Sequence, residues 1–185
     1  MAFLDGKKTV VLGQATLREI WDDMSKTILP SWLPSAPFHV GDGKHGKLTA
    51  DQWRTFCTVH LVITLIRLWG YTPADGREYR LLVNFMHLVL ATKAATMRSM
   101  SPERIKVYKD NMQLYLNVIK QLFPGVAFSR NHHLSCHLPG MLEDYGPTHS
   151  WRTFAIERFN YIMQKTPTNN KFGPHAYLLI LYFSY

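Results

Sequence analysis

Apolar residues recur at helical spacing along most of this chain. The plainest case is Ile105, Tyr108, Met112, Tyr115, Ile119 and Leu122, which step by three and four residues. One face of a helix repeats in that way. Ser101-Pro102-Glu103 opens this helix with an N-cap and a proline at the first helical position, and Pro124-Gly125 closes it. Upstream, about Ala15 to Leu29 reads as a helix stopped by Pro30, Pro34 and Pro37. A loop from Pro30 to Lys47 follows. Thr49-Ala-Asp-Gln52 is a capping-box pattern, predicting a helix that runs to Trp69 with Gly70 as its C′ residue. The β-branched run Val59 to Ile66 also suits a strand, but the length of the segment favours helix.

About Arg77 to Arg98 is apolar nearly all round, which predicts burial on several sides. Asn131 to Tyr145 reads as a fifth helix with a break expected at Pro139-Gly140. About Ser150 to Lys165 reads as a sixth, after a Gly146-Pro147 turn. The expectation is an all-α fold of about six helices, with the second, third and fourth as core.

Composition narrows the function classes. The 185 residues suffice for one domain with a core, and 46% hydrophobic against 18% charged is not a disordered composition. Cys57 and Cys136 are too few for a disulfide framework, so a reducing compartment is expected. No N-terminal signal is recognisable. The most apolar stretch, Phe56 to Trp69, contains His60 and Arg67 and falls short of the roughly 20 residues of a bilayer span. No membrane is therefore expected. The net charge is +8, and residues 93–185 hold 11 basic against five acidic groups. Such a half attracts polyanions.

Three groups of residues could carry chemistry. His133 and His137 share a helical face beside Cys136, a spacing that suits zinc but supplies only two of four ligands. The alternative is that the histidines are capping or surface residues, and a zinc-dependent enzyme is the least favoured reading. Glu157 is the single acid after Asp144, among Arg152, Arg158, Lys165 and Lys171. A carboxylate among cations stays ionised, for an arginine or for a metal. Lys93 to Arg130 carries seven cations against two acids, with Lys106, Lys109 and Lys120 off the apolar stripe and Tyr108 and Tyr115 interleaved. Phosphate contacts would need only that charge, and so would a solvated face. Cys57 is expected to be a packed core thiol. No Ser-His-Asp arrangement, phosphate-cradling glycine loop or dinucleotide fingerprint occurs.

Four strings occur in a fixed order: Thr27-Ile-Leu-Pro-Ser-Trp-Leu-Pro34, Lys44-His-Gly-Lys-Leu-Thr-Ala-Asp-Gln-Trp-Arg-Thr-Phe56, Asn131-His-His-Leu-Ser-Cys-His-Leu138, and Gly146-Pro-Thr-His-Ser-Trp-Arg-Thr-Phe-Ala-Ile-Glu-Arg-Phe-Asn160. Together they resemble the C-terminal half of the CACTA-type (En/Spm-like) transposase core, in the form abundant in mushroom-forming fungi. The resemblance covers roughly 15–172. Residues 1–14 match poorly, and 173–185 form a divergent apolar tail.

The resemblance implies an RNase H-like nuclease in which two aspartates and a glutamate hold two Mg2+ or Mn2+ ions. Glu157 matches the glutamate, on a helix after a helical insertion. Arg152 and Arg158, beside Glu157, would pair with it or contact phosphate, and Lys165 would be a further DNA contact. His133 and His137 match the histidine-containing segment just upstream, a structural or strand-positioning role. Lys106 and Lys109 would add DNA contacts. DNA is then the partner and the nucleus the expected compartment, with a homo-oligomer compatible and no small-molecule substrate. The chain departs from the family in lacking the two aspartate-bearing strands. It is expected to be a remnant, a decayed copy or a mis-joined frame that binds no catalytic metal and is inactive alone. The alternative is a non-catalytic helical module for DNA or protein binding.

Overall fold

A computed structural model describes residues 11–41, 48–151 and 161–162. These residues are helical wherever they are regular, and no strand occurs among them. The chain divides into two units, one ending at Thr148 and one beginning at His149. In the first unit, α1 spans Gln14–Lys26, α2 Ala50–Thr55, α3 Leu61–Trp69, α4 Arg77–Ala95, α5 Pro102–Leu122 and α6 Arg130–Tyr145. A short α7, Thr148–Trp151, starts at the unit boundary. A π-helical turn, Phe56–His60, joins α2 to α3. Counting that rod once, six helices are present among the described residues.

Local chemistry explains most of the ends. Thr49 and Gln52 form the expected capping box, with Gln52 N–H donating to Thr49 Oγ1 (3.3 Å) and Thr49 N–H to Gln52 Oε1 (3.0 Å). Ser101 caps α5 with Pro102 inside the first turn. The first helix stops at Lys26, three residues short of the expected Leu29. Thr27 is already extended, and its hydroxyl donates to the Asp23 carbonyl. Gly70 differs from its expected role. Its φ is −66°, so it is not a left-handed cap. Glycine fits there because an added Cβ would lie 2.4 Å from the Ile66 carbonyl oxygen.

The π turn was not foreseeable from periodicity. At about 100° per residue, the buried positions Thr55, Phe56, His60, Leu61, Thr64 and Leu65 would spread over about 260° of a straight α-helix. A π turn advances about 80° per residue and gathers them into about 190°. The Leu61 N–H accordingly reaches back five residues to the Phe56 carbonyl. One inserted residue thus keeps both halves of the rod facing one core.

That core holds Ile20, Met24, Ala36, Val40, Phe56, Leu61, Leu65 and Leu82. It draws on α1 and the following loop, as well as on the rod and α4. The expected core of the second, third and fourth helices is therefore extended at its N-terminal side. The Trp21 indole N–H fixes the loop by donating to the Val40 carbonyl (3.1 Å). Arg67 on α3 bridges Glu19 (2.7 Å) and Asp23 (2.9 Å) on α1. Cys57 packs against this cluster, and burial pushes its thiol pKa up. The helix at α4 is not buried all round: among the described residues it packs chiefly on α3, the π turn and α5, and Val83 and Leu90 stay exposed.

α5 uses the stripe read from its spacing, burying Ile105, Tyr108 and Met112, together with Leu116. Its partner α6 is continuous from Arg130 through Pro139, where a break was expected. The reason is tertiary. Pro139 has no N–H, which frees the Ser135 carbonyl from its intrahelical bond. The Tyr108 hydroxyl donates to that same carbonyl at 2.8 Å. A polar group orphaned in one helix is thus satisfied by the next, and the two helices are tied.

Candidate nucleic-acid interface

The described candidate site residues Lys106, Lys109, His133 and His137 lie on α5 and α6. Ser129 starts α6 with a capping box of its own. The Ser129 N–H donates to His132 Nδ1 at 3.0 Å, so an imidazole does what Glu or Gln usually does. Among the adjacent histidines, His132 is therefore the capping one. It also sits against Phe128 and Tyr115, with ring centroids 5.2 and 6.4 Å away. The Ser129-to-His132 spacing carries this signal in the sequence, hidden because histidine is an unusual residue for the role.

His133 and His137 are exposed, as their spacing suggested they could be. Their Nε2 atoms are 3.1 Å apart, and their ring centroids 4.7 Å. Two nitrogens aimed straight at each other would put the centroids about 5.4 Å apart, so the rings bend toward a common point. A divalent transition metal 2.0–2.1 Å from each nitrogen would subtend an angle of about 100°, which suits two of four ligands. No group of three metal-ligating side chains exists among the described residues. The hard, oxygen-liganded ions of a two-metal nuclease do not fit these imidazoles. Glu143 and Asp144 are successive residues of one helix, so their side chains diverge by about 100°. The described residues therefore offer no cradle for Mg2+ or Mn2+.

Two clefts follow the seam between α5 and α6. One, about 560 Å³, is bounded by Met100, Ile105, Lys106, Lys109, Leu142 and Glu143 among others. The second, about 290 Å³, is bounded by Tyr108, Lys109, Met112, Ser135, Cys136 and Glu143 among others. Lys109 and Glu143 line both. The seam thus brings Lys106 and Lys109 together, but neither His133 nor His137 lines either cleft. On α6 the histidines lie about 140–180° from Leu142, which faces α5. Glu157, Arg152, Arg158 and Lys165 lie outside the described residues.

The cationic face of α5 is partly spoken for. Lys106 pairs with Asp110 at 2.5 Å, Arg104 bonds Ser99, and Lys120 stands 4.9 Å over the Phe128 ring. These are exposed contacts, each of small individual worth. A phosphate could exchange for them. Tyr108 and Tyr115 play no such exposed role. Tyr108 is buried and Tyr115 half-buried, so neither presents a ring to a base. Burial pushes the Tyr108 phenol up to about 12, which keeps it a hydrogen-bond donor.

No helix among the described residues is long and apolar enough to cross a membrane. No protein-family model, curated protein or solved structure matches this chain.

Proposed function

We propose that this chain is a helical remnant of a CACTA-type DNA transposase core, comprising the helical insertion and the final catalytic helix, and that it does not cleave DNA alone. One observation carries the reading: the four ordered strings, ending in Phe154-Ala-Ile-Glu-Arg-Phe-Asn160 with Glu157 at the glutamate position. The all-helical architecture of the described residues is compatible with an insertion that has no sheet of its own. In this role the basic C-terminal half holds phosphates, and Glu157 would need two carboxylates that no other part of the chain is expected to provide. Lys106 and Lys109, side by side on a cleft, favour a second reading, in which the chain is retained as a non-catalytic DNA-binding module.

Sequencing the DNA that flanks the coding region tests the first reading. An upstream frame encoding two aspartate-bearing strands, between terminal inverted repeats, is the expected result. Flanks with neither feature would overturn it.

A further inference from the structure

His133 and His137 are exposed, on the side of α6 opposite the one that Leu142 buries. Their contact is informative about where hydrogen sits. Two Nε2 atoms 3.1 Å apart cannot both carry a hydrogen toward each other, and two bare lone pairs would repel. One ring therefore donates from Nε2 and the other accepts, with a single proton between the two nitrogens.

A divalent transition metal fits the place of that proton. With metal–nitrogen bonds of 2.0–2.1 Å, the 3.1 Å separation gives the angle of about 100° already noted, between the roughly 90° of cis positions in an octahedron and the roughly 109° of a tetrahedron. The exchange balances without net loss of a proton. The hydrogen leaves Nε2 of the donating ring and is carried on its Nδ1, so both imidazoles stay neutral and each gives an Nε2 lone pair to the metal.

The backbone beneath the pair is anchored. Ser135 lies midway between the two histidines, and its carbonyl accepts from the Tyr108 hydroxyl of α5 at 2.8 Å. Ser129 and His132 cap the helix just before His133. The turn that presents both rings is thus held at its start and its middle, so a bound metal has little beyond side-chain torsions to order. Cys136 is turned elsewhere, with its Sγ 3.5 Å from the His132 carbonyl and on the wall of the α5–α6 cleft.

We propose that His133 and His137 form a two-imidazole clip for a divalent transition metal of the Zn2+, Ni2+ or Cu2+ class, with water in the remaining positions. Imidazole nitrogen selects these ions over the hard, oxygen-seeking Mg2+ and Ca2+. No reaction is assigned to the clip, since a catalytic zinc keeps three protein ligands and two converge here among the described residues. The inference uses α6 and its anchor on α5, and it stands apart from the transposase reading.

The test uses the full chain labelled with 15N-histidine, titrated with ZnCl2 at pH 7.5 and reversed with EDTA. The expected result is a saturable shift of the His133 and His137 ring nitrogens together, with hydrogen on Nδ1 of both rings and no displacement by excess Mg2+. His133→Gln and His137→Gln should each weaken Zn2+ binding at the remaining ring at least tenfold, because the chelate is lost, while the helical circular dichroism persists. Cys136→Ser should leave the affinity within about threefold, which a thiolate ligand would not allow. Absence of the paired shift up to about 1 mM Zn2+, single variants that bind as tightly as the parent, or loss of binding in Cys136→Ser would each overturn the proposal.

Discussion

The Tyr108 hydroxyl is the donor that the Pro139-containing helix needs. Removing it with Tyr108→Phe leaves the Ser135 carbonyl without either partner and should cost about 1–2 kcal/mol of stability. In a Pro139→Ala background the backbone N–H returns, and the same substitution should cost less than about 0.5 kcal/mol. Guanidinium unfolding of the four proteins measures the difference. Equal costs in both backgrounds would separate the hydroxyl from the proline. His60 gives a pH prediction. Burial lowers its folded pKa below the usual 6.5, so below that value the unfolded chain binds more protons than the native one. Its contribution is present above pH 6.5 and is lost as pH falls toward the folded pKa. The denaturation midpoint should therefore drop on going from pH 7.5 to 5.5, and His60→Leu should flatten that part of the profile. An unchanged slope in the variant would assign the effect to other groups.

Among the elements, the rod from α2 to α3 is the most informative. Its π turn carries one residue more than a straight helix needs. Deleting Thr58 should therefore convert the turn to α-helix and still keep the six buried positions within about 180°. We expect a folded protein within ~2 kcal/mol of the parent. Deleting Ile63, exposed in the regular part of α3, rotates Leu65 off the core and should cost more than ~3 kcal/mol. Thermal unfolding followed by circular dichroism distinguishes the two, and equal losses would contradict the insertion account. The contrast shows which features the sequence makes legible. The Thr49–Gln52 box, the Ser101-Pro102 start and the stripe on α5 are local chemistry with fixed spacings, and each appears where it was expected. The π turn and the unbroken Pro139 helix depend on which neighbour packs where. Periodicity says nothing of a five-residue backbone bond, or of a tyrosine 31 positions away.

At the scale of the molecule, spacing placed His133 with His137, and put Lys106 and Lys109 off the apolar stripe of α5; the structure keeps the histidine pair and sets both lysines on one cleft. It does not join one pair to the other, because a helical repeat defines a face without saying which face a neighbour covers. Under the proposed DNA-binding reading, the two lysines are the part open to test. Binding of duplex DNA by the full chain should weaken steeply between about 50 and 200 mM salt. Replacing Lys106 and Lys109 by alanine should lower the slope of log K against log salt by about 1–2. A slope unaffected by the double substitution would take the α5–α6 seam out of the interface. Substitutions also accumulate at this scale, and there the Tyr108–Ser135 bond acquires a direction in time. A lineage that loses Pro139 first can then exchange Tyr108 for phenylalanine almost freely. One that loses the hydroxyl first passes through a weakened protein. The order in which two harmless changes arrive thus decides whether either is harmless, and the helix pair carries a memory of its mutational route.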